Sequence, residues 1–199
     1  MDVNQKYLAL DLELNNADDG STPNPKIIQV GVAIGSAKQS PSEWITKKWY
    51  VRVNEPIYPF ITDLTGITNQ DIQQFGMTHY EIGQELSRLI KENDVFVNPV
   101  TWGGGDSTEL KSEFEQHGIE FRHFGRRWID VKTWYALRML ANGKRPAGGL
   151  SSAMGVYKMH FEGKAHRADV DAYNTLRLFF EILKRQKQML DTEIGRAHV

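Results

Sequence analysis

At 199 residues, with ordinary hydrophobic and charged fractions, the chain suits one soluble globular domain with a sizeable core rather than two. A formal net charge of −1 argues against a protein that grips nucleic acid mainly by neutralising many phosphates. The absence of cysteine excludes disulfides and thiolate metal sites, and no apolar run approaches the length needed to span a bilayer.

Tyr7 to Leu14 alternates strictly, with Leu8, Leu10, Leu12 and Leu14 on one side and Tyr7, Ala9, Asp11 and Glu13 on the other. That period of two predicts a strand with a fully apolar face. A loop rich in Asn, Asp, Gly and Pro, Asn15 to Pro25, ends it. Lys26 to Ile34 and Lys47 to Val53, rich in β-branched and aromatic residues, read as a second and third strand, and the short connections suggest an antiparallel meander. Thr78-His-Tyr-Glu81 spells a capping box that opens a helix through Ile90. Then follow a strand from Asp94 to Trp102, a helix from Ser107 to Gln116 and a short strand from Arg127 to Val131 leading into a helix through Met139. A small helix near Leu150 to Tyr157 precedes the last long helix, from Ala168 to about Lys187. A meander followed by αβα units predicts an α/β fold, a mixed sheet with helices on both faces, over residues 1–188.

Asp11 and Glu13, at i and i+2 on a strand, project from the same face. Adjacent carboxylates repel unless a cation or a shared proton relieves them, and an oxygen-only donor set suits Mg²⁺ or Mn²⁺. A polar outer strand face is the plain alternative. Asp106 lies between Trp102-Gly-Gly-Gly105 and Ser107-Thr-Glu109, a spacing that also suits a helix N-cap. Three consecutive glycines make little sense for a cap alone and leave room for a large ligand such as a nucleotide. His166 and Asp171 are five residues apart, which on one helix is a rotation of about 140°. His166 is therefore expected on the approach to the last helix and Asp171 in its first turns, facing the strand that carries Asp11. Asp169 is the competing ligand or a helix cap, and a histidine near a helix start can be structural.

The combination is more specific than its parts. D-x-E on the first strand, an Asp opening a helix after a strand, and H-x4-D at the final helix together resemble the DEDDh branch of the DnaQ-like 3′→5′ exonucleases. Leu64-Thr-Gly-Ile-Thr68 is similar to the L-T-G-I-T element of that family, and the resemblance runs from Tyr7 to Phe180. Trp102-Gly-x-x-Asp106 and Trp128-Ile-Asp-Val131 look most like the Eri-1/KapD-type members. The resemblance implies an RNase H-like fold in which Asp11, Glu13, Asp106 and Asp171 hold two divalent cations, Mg²⁺ or Mn²⁺, with His166 as general base. It implies that Leu64 and Thr65 pack against and hydrogen-bond a terminal nucleotide, with Leu14 and Asn15 lining the same pocket. The expected partner is single-stranded RNA or DNA with a free 3′ end, RNA slightly favoured, and the product a nucleoside 5′-monophosphate. Two positions depart from the family pattern: Leu14 stands where many relatives have a small or hydroxyl side chain, and Gly105 where many have an aromatic ring. Trp102 is either the base-stacking substitute or a core tryptophan at a strand end. These departures bear on substrate preference, not on the metal ligands.

Charge is uneven, with 8 basic and 13 acidic side chains in residues 1–100 against 16 and 12 in residues 101–199. A basic second half would guide an anionic substrate toward the acids, or simply be a solvated surface. The first residues lack the marks of a signal peptide, so a cytoplasmic location without a membrane is expected. Residues 189–199 are expected to lie outside the fold. Glu193-Ile-Gly-Arg-Ala-His-Val199 back-translates as GAG ATC GGA AGA GCA CAC GTC, a common short-read sequencing adapter, which suggests an assembly artefact. Resequencing the source locus tests this; coding sequence through these codons would overturn it. Two rivals to a free-standing nuclease are a non-catalytic binding module on the same fold and a polymerase-associated proofreading subunit.

Overall fold

A computed structural model describes residues 2–197, with side chains through Thr192. Five strands form one sheet in the order β3-β2-β1-β4-β5. The antiparallel meander is β1 (Lys6–Asn15), β2 (Lys26–Ser36) and β3 (Ile45–Tyr50), while β4 (Val100–Thr101) and β5 (Ile129–Asp130) add in parallel beside β1. The described helices are α1 (Pro59–Thr65), α2 (Asn69–Phe75), α3 (His79–Asn93), α4 (Gly105–Gln116), α5 (Val131–Ala141), α6 (Leu150–Val156) and α7 (Ala168–Ala197). No described helix is long and apolar enough to cross a membrane.

The alternation in β1 sorts the layers. Leu8, Leu10 and Leu12 pack with Val30, Val32 and Ile34 of β2 against Ile82 and Leu86 of α3 and Leu110 and Phe114 of α4. On the other face, Ala9 and Ala33 are the small residues over which α5, α6 and α7 bring Tyr135, Met154, Leu176 and Phe179. A bulge in β2 opposite Glu13 and Leu14 changes the phase, so Ile27 and Val30 join the α3–α4 layer while Ile28 packs with Ile61 and Ile72 of α1 and α2. Mixed sheet and two helical layers make the RNase H-like arrangement the sequence predicts.

Several boundaries differ from expectation. β3 starts at Ile45 and its ladder ends at Tyr50; Val51 N–H makes one more bond to Ile28 O of β2, while on the other side Met77 N–H donates to Tyr50 O and Arg52 N–H to Met77 O. The expected strand from Asp94 to Trp102 shrinks to Val100–Thr101. Asp94 is left-handed at φ 48° and Pro99 has no N–H to give, so only Val95 and Phe96 touch β1 before the chain bends away. Helices α1 and α2, seven residues each, were not expected. Helix α7 continues past Lys187 to Ala197; of the adapter-like tail, the side chains of residues 193–197 and all of residues 198 and 199 lie outside the described part.

Candidate active site

Asp11 and Glu13 point from β1 toward α7, as strand geometry requires. Their partners across the β1–β2 ladder are Gly31 and Gln29. Both β2 residues meet the start of α7. A Cβ on Gly31 would lie 2.0 Å from the Ala168 carbonyl carbon and 2.2 Å from the Asp169 nitrogen, so only glycine lets the helix come this close. The Ala168 N–H donates to Gln29 Oε1 at 2.9 Å. One turn into α7, a carboxylate oxygen of Asp171 comes within 4.8 Å of oxygens of Asp11 and Glu13, and the three make one cluster.

Asp106 joins from the other side. Gly104 is the N-cap of α4 and offers no side chain, so Asp106 is the second helical residue rather than the cap. Its carboxylate is stabilised by the backbone N–H of Leu12, which brings it over β1, and its charge is felt by Asp11. The glycine loop before it is held from β5. Asp130 Oδ1 accepts from Gly103 N–H (2.9 Å) and Lys132 N–H (2.8 Å), tying loop to α5. Gly103, at φ 100°, takes a backbone conformation that a side chain would strain.

His166 is exposed on the approach to α7, in a left-handed conformation at φ 61°. Its N–H (2.8 Å) and that of Arg167 (3.3 Å) donate to Oδ2 of Asp171. One carboxylate thus fixes the turn that carries the histidine and belongs to the oxygen cluster. Asp169 lies 3.5 Å from Arg167 Nε and outside the cluster.

Without cations these acids oppose one another. Burial, then the charges of Asp106, Glu13 and Asp171, hold the Asp11 carboxyl well above the usual carboxylate range. Burial followed by Asp171 and Asp106 pushes Glu13 up to about 8. Burial raises Asp106 to about 7 against the pull of the Leu12 amide, and raises Asp171 against its bonds from His166 and Arg167. A half-buried cluster of oxygen donors that resist ionisation together fits hard divalent cations such as Mg²⁺ or Mn²⁺, which would relieve the repulsion.

The five expected nucleotide-contact residues fall into two groups. Asn15 is buried and committed to the fold: its Nδ2 donates to Pro56 O (3.0 Å) and its Oδ1 accepts from Tyr58 N–H (2.9 Å), fastening the entry to α1 onto the end of β1. Thr65 is also buried, its hydroxyl donating to Ile61 O (2.7 Å) and accepting from Ile67 N–H (3.0 Å). Leu14 and Leu64 are half-buried at the ends of β1 and α1. Trp102 is half-buried against Tyr135, ring centres 5.8 Å apart, in the layer beneath α5 to α7. Reading the sequence missed Gln29, Gly31 and Asp130 as shapers of this site; a glycine interrupting the second strand was the legible sign of a close backbone approach.

A mixed sheet of this order, with paired carboxylates on its central strand and further acids delivered by flanking helices, defines the RNase H-like class of nuclease folds. The Exonuclease family (RNase_T) matches residues 8–179, and the chain belongs to that family. No curated protein matches the chain in sequence. Among solved structures, a full-length 3′-exonuclease superposes with a TM-score of 0.79 at 19% identity, over 92% of this chain and 61% of that one. The nuclease domain of 3′hExo, a DEDDh family member bound to rAMP, gives 0.76 at 17% identity, over 91% and 92% of the two chains. E. coli Exonuclease I with a dT13 oligonucleotide gives 0.69 at 17% identity, over 94% of this chain and 43% of that one. At these identities the likeness is one of fold.

Proposed function

We propose that this domain is a metal-dependent 3′→5′ exonuclease that releases nucleoside 5′-monophosphates from single-stranded nucleic acid, RNA slightly favoured over DNA. The observation that carries the reading is the oxygen cluster of Asp11, Glu13 and Asp171 within 4.8 Å, with Asp106 beside it. Asp11, Glu13, Asp106 and Asp171 would hold two divalent cations, Mg²⁺ or Mn²⁺, whose chemistry is to stabilise the attacking and leaving oxygens of an in-line displacement. His166 accepts the proton of the attacking water as its oxygen bonds to phosphorus, while the bond from phosphorus to the 3′-oxygen of the penultimate nucleotide breaks. Its place on an exposed turn anchored by Asp171 suits a base that must meet the substrate and then release its proton. Leu64 and Leu14 offer apolar surface to the terminal nucleotide. Asn15 and Thr65 shape that pocket from beneath, and Trp102 borders it beside the glycine loop.

The preference for RNA rests on the Eri-1/KapD-like motifs; one solved relative is bound to rAMP and another holds dT13, so both sugars belong in the test. Matched 5′-labelled single-stranded RNA and DNA oligonucleotides are incubated with Mg²⁺, Mn²⁺ or EDTA. The expected result is a ladder shortening from the 3′ end, absent in EDTA and faster on RNA. If both stayed intact with every metal, catalysis would be excluded and a binding role on the same fold would replace it.

A further inference from the structure

We infer that Gln29, with Gly31 beside it, is the positioning element that sets the start of α7 so that Asp171 and the His166 turn meet the carboxylates of β1. The inference rests on the reading of Asp171 as a metal ligand. Two observations carry it, one of hydrogen bonding and one of shape.

First, Gln29 is an uncharged polar side chain with 1% of its surface exposed, in a strand whose other residues from Ile27 to Gly35 are apolar or glycine. Its Oε1 accepts the N–H of Ala168, the first residue of α7, which is itself fully buried. The first N–H groups of a helix have no partner within the helix. Here water is excluded, so this amide depends on the glutamine. Second, Gly31 removes the side chain that would hold α7 off the sheet, because its Cβ would sit 2.0 to 2.3 Å from backbone atoms of Ala168 and Asp169.

Register turns these contacts into a gauge. In the antiparallel ladder Gln29 faces Glu13 and Gly31 faces Asp11, so the two β2 residues on which α7 rests are the neighbours of the two β1 carboxylates. From Ala168, three residues along α7 bring Asp171 back over the strand, where its Oδ2 also gathers the amides of His166 and Arg167. Moving the seat would move a ligand and the base together. Residues that orient metal-binding groups without touching the metal typically change affinity about 10–100-fold when altered.

Calorimetric titration of the full chain with Mn²⁺ tests this, using Gln29→Met, which keeps the shape but loses the amide acceptor and adds no charge beside Glu13. Ile82→Val, a core change in α3 far from the seat, controls for a general loss of stability. Gln29→Met is expected to weaken Mn²⁺ binding by about tenfold or more, and Ile82→Val to leave it near the wild-type value. Wild-type binding matched by Gln29→Met, or a loss equal to that of Ile82→Val at matched stability, overturns the positioning role alone. A wild-type chain that takes up no Mn²⁺ overturns the metal-site reading itself and the inference with it. Should Gln29→Met fail to fold, hydrogen exchange of the Ala168 amide in the wild-type protein decides. Protection like that of mid-helix α7 supports the seat, and exchange at the open-chain rate overturns it.

Discussion

Carboxylates crowded around Asp11 make opposite demands on stability and on catalysis, and single substitutions separate them. Asp11→Asn removes a charge opposed by burial and by Asp106, Glu13 and Asp171, while keeping shape. The variant is expected to lose turnover, to stay folded, and in EDTA to melt above wild type; near-normal activity of the purified variant would refute the ligand assignment. His166→Ala should lower the rate by about 10²–10⁴, the usual worth of a positioned base, with a smaller effect on oligonucleotide binding. An unchanged pH–rate profile would remove His166 from that role. At this scale, what was legible followed local geometry. Asp11 and Glu13 share a face because strands repeat every two residues, and His166 and Asp171 were correctly split between turn and helix because five residues do not close a helical face. Gln29 and Asp130 were not legible, because their meaning is a hydrogen bond to residues 139 and 27 positions away. Asn15 was read as lining a nucleotide pocket, yet its amide is spent on Pro56 and Tyr58, a use that nothing local announces.

Among the elements, those with repeating apolar faces were found, and the seven-residue helices α1 and α2, which bury one or two side chains each, were not. Helix α3 combines an apolar stripe with a full capping box, Thr78 Oγ1 accepting from Glu81 N–H and Glu81 Oε2 from Thr78 N–H. Helix α2 has the same box in Thr68 and Asp71 but only two turns, too few for a periodicity to show. Thr68→Ala and Thr78→Ala are each expected to destabilise by about 1 kcal/mol in chemical denaturation, the usual worth of an N-cap. Thr68→Ala should in addition loosen the α1–α2 corner and raise KM for oligonucleotides. An equal KM for the two variants would detach that corner from substrate binding. The short β4 and β5 carry little pairing of their own; their role is to end at Thr101 and at Asp130, just before the glycine loop and α5.

For the whole molecule, the acids make stability without cations depend on pH in an unusual direction. Their folded-state values are raised, Glu13 to about 8 and Asp106 to about 7, from an unfolded range near 4. Between those limits the folded chain binds more protons than the unfolded one, so this contribution favours folding at low pH and is lost as pH rises from about 4 to about 8. Thermal melting in EDTA should therefore show the cluster's stabilisation fading over that window. Mg²⁺ or Mn²⁺ should restore it most at the alkaline end, and Asp11→Asn should flatten the slope. A melting temperature in EDTA whose pH dependence is identical in wild type and Asp11→Asn would deny that these charges are held together in the fold. The order of assembly carries a further consequence. The meander of β1 to β3 closes over short loops, but the cluster needs Asp171, brought to Asp11 from 160 residues along the chain only when α7 reaches its seat. Contacts so distant in sequence form slowly, after their closure entropy has been met. A chain released before α7 is made lacks both Asp171 and the His166 turn, so on the proposed mechanism it holds an incomplete site and is no hydrolytic hazard to the nucleic acid around it.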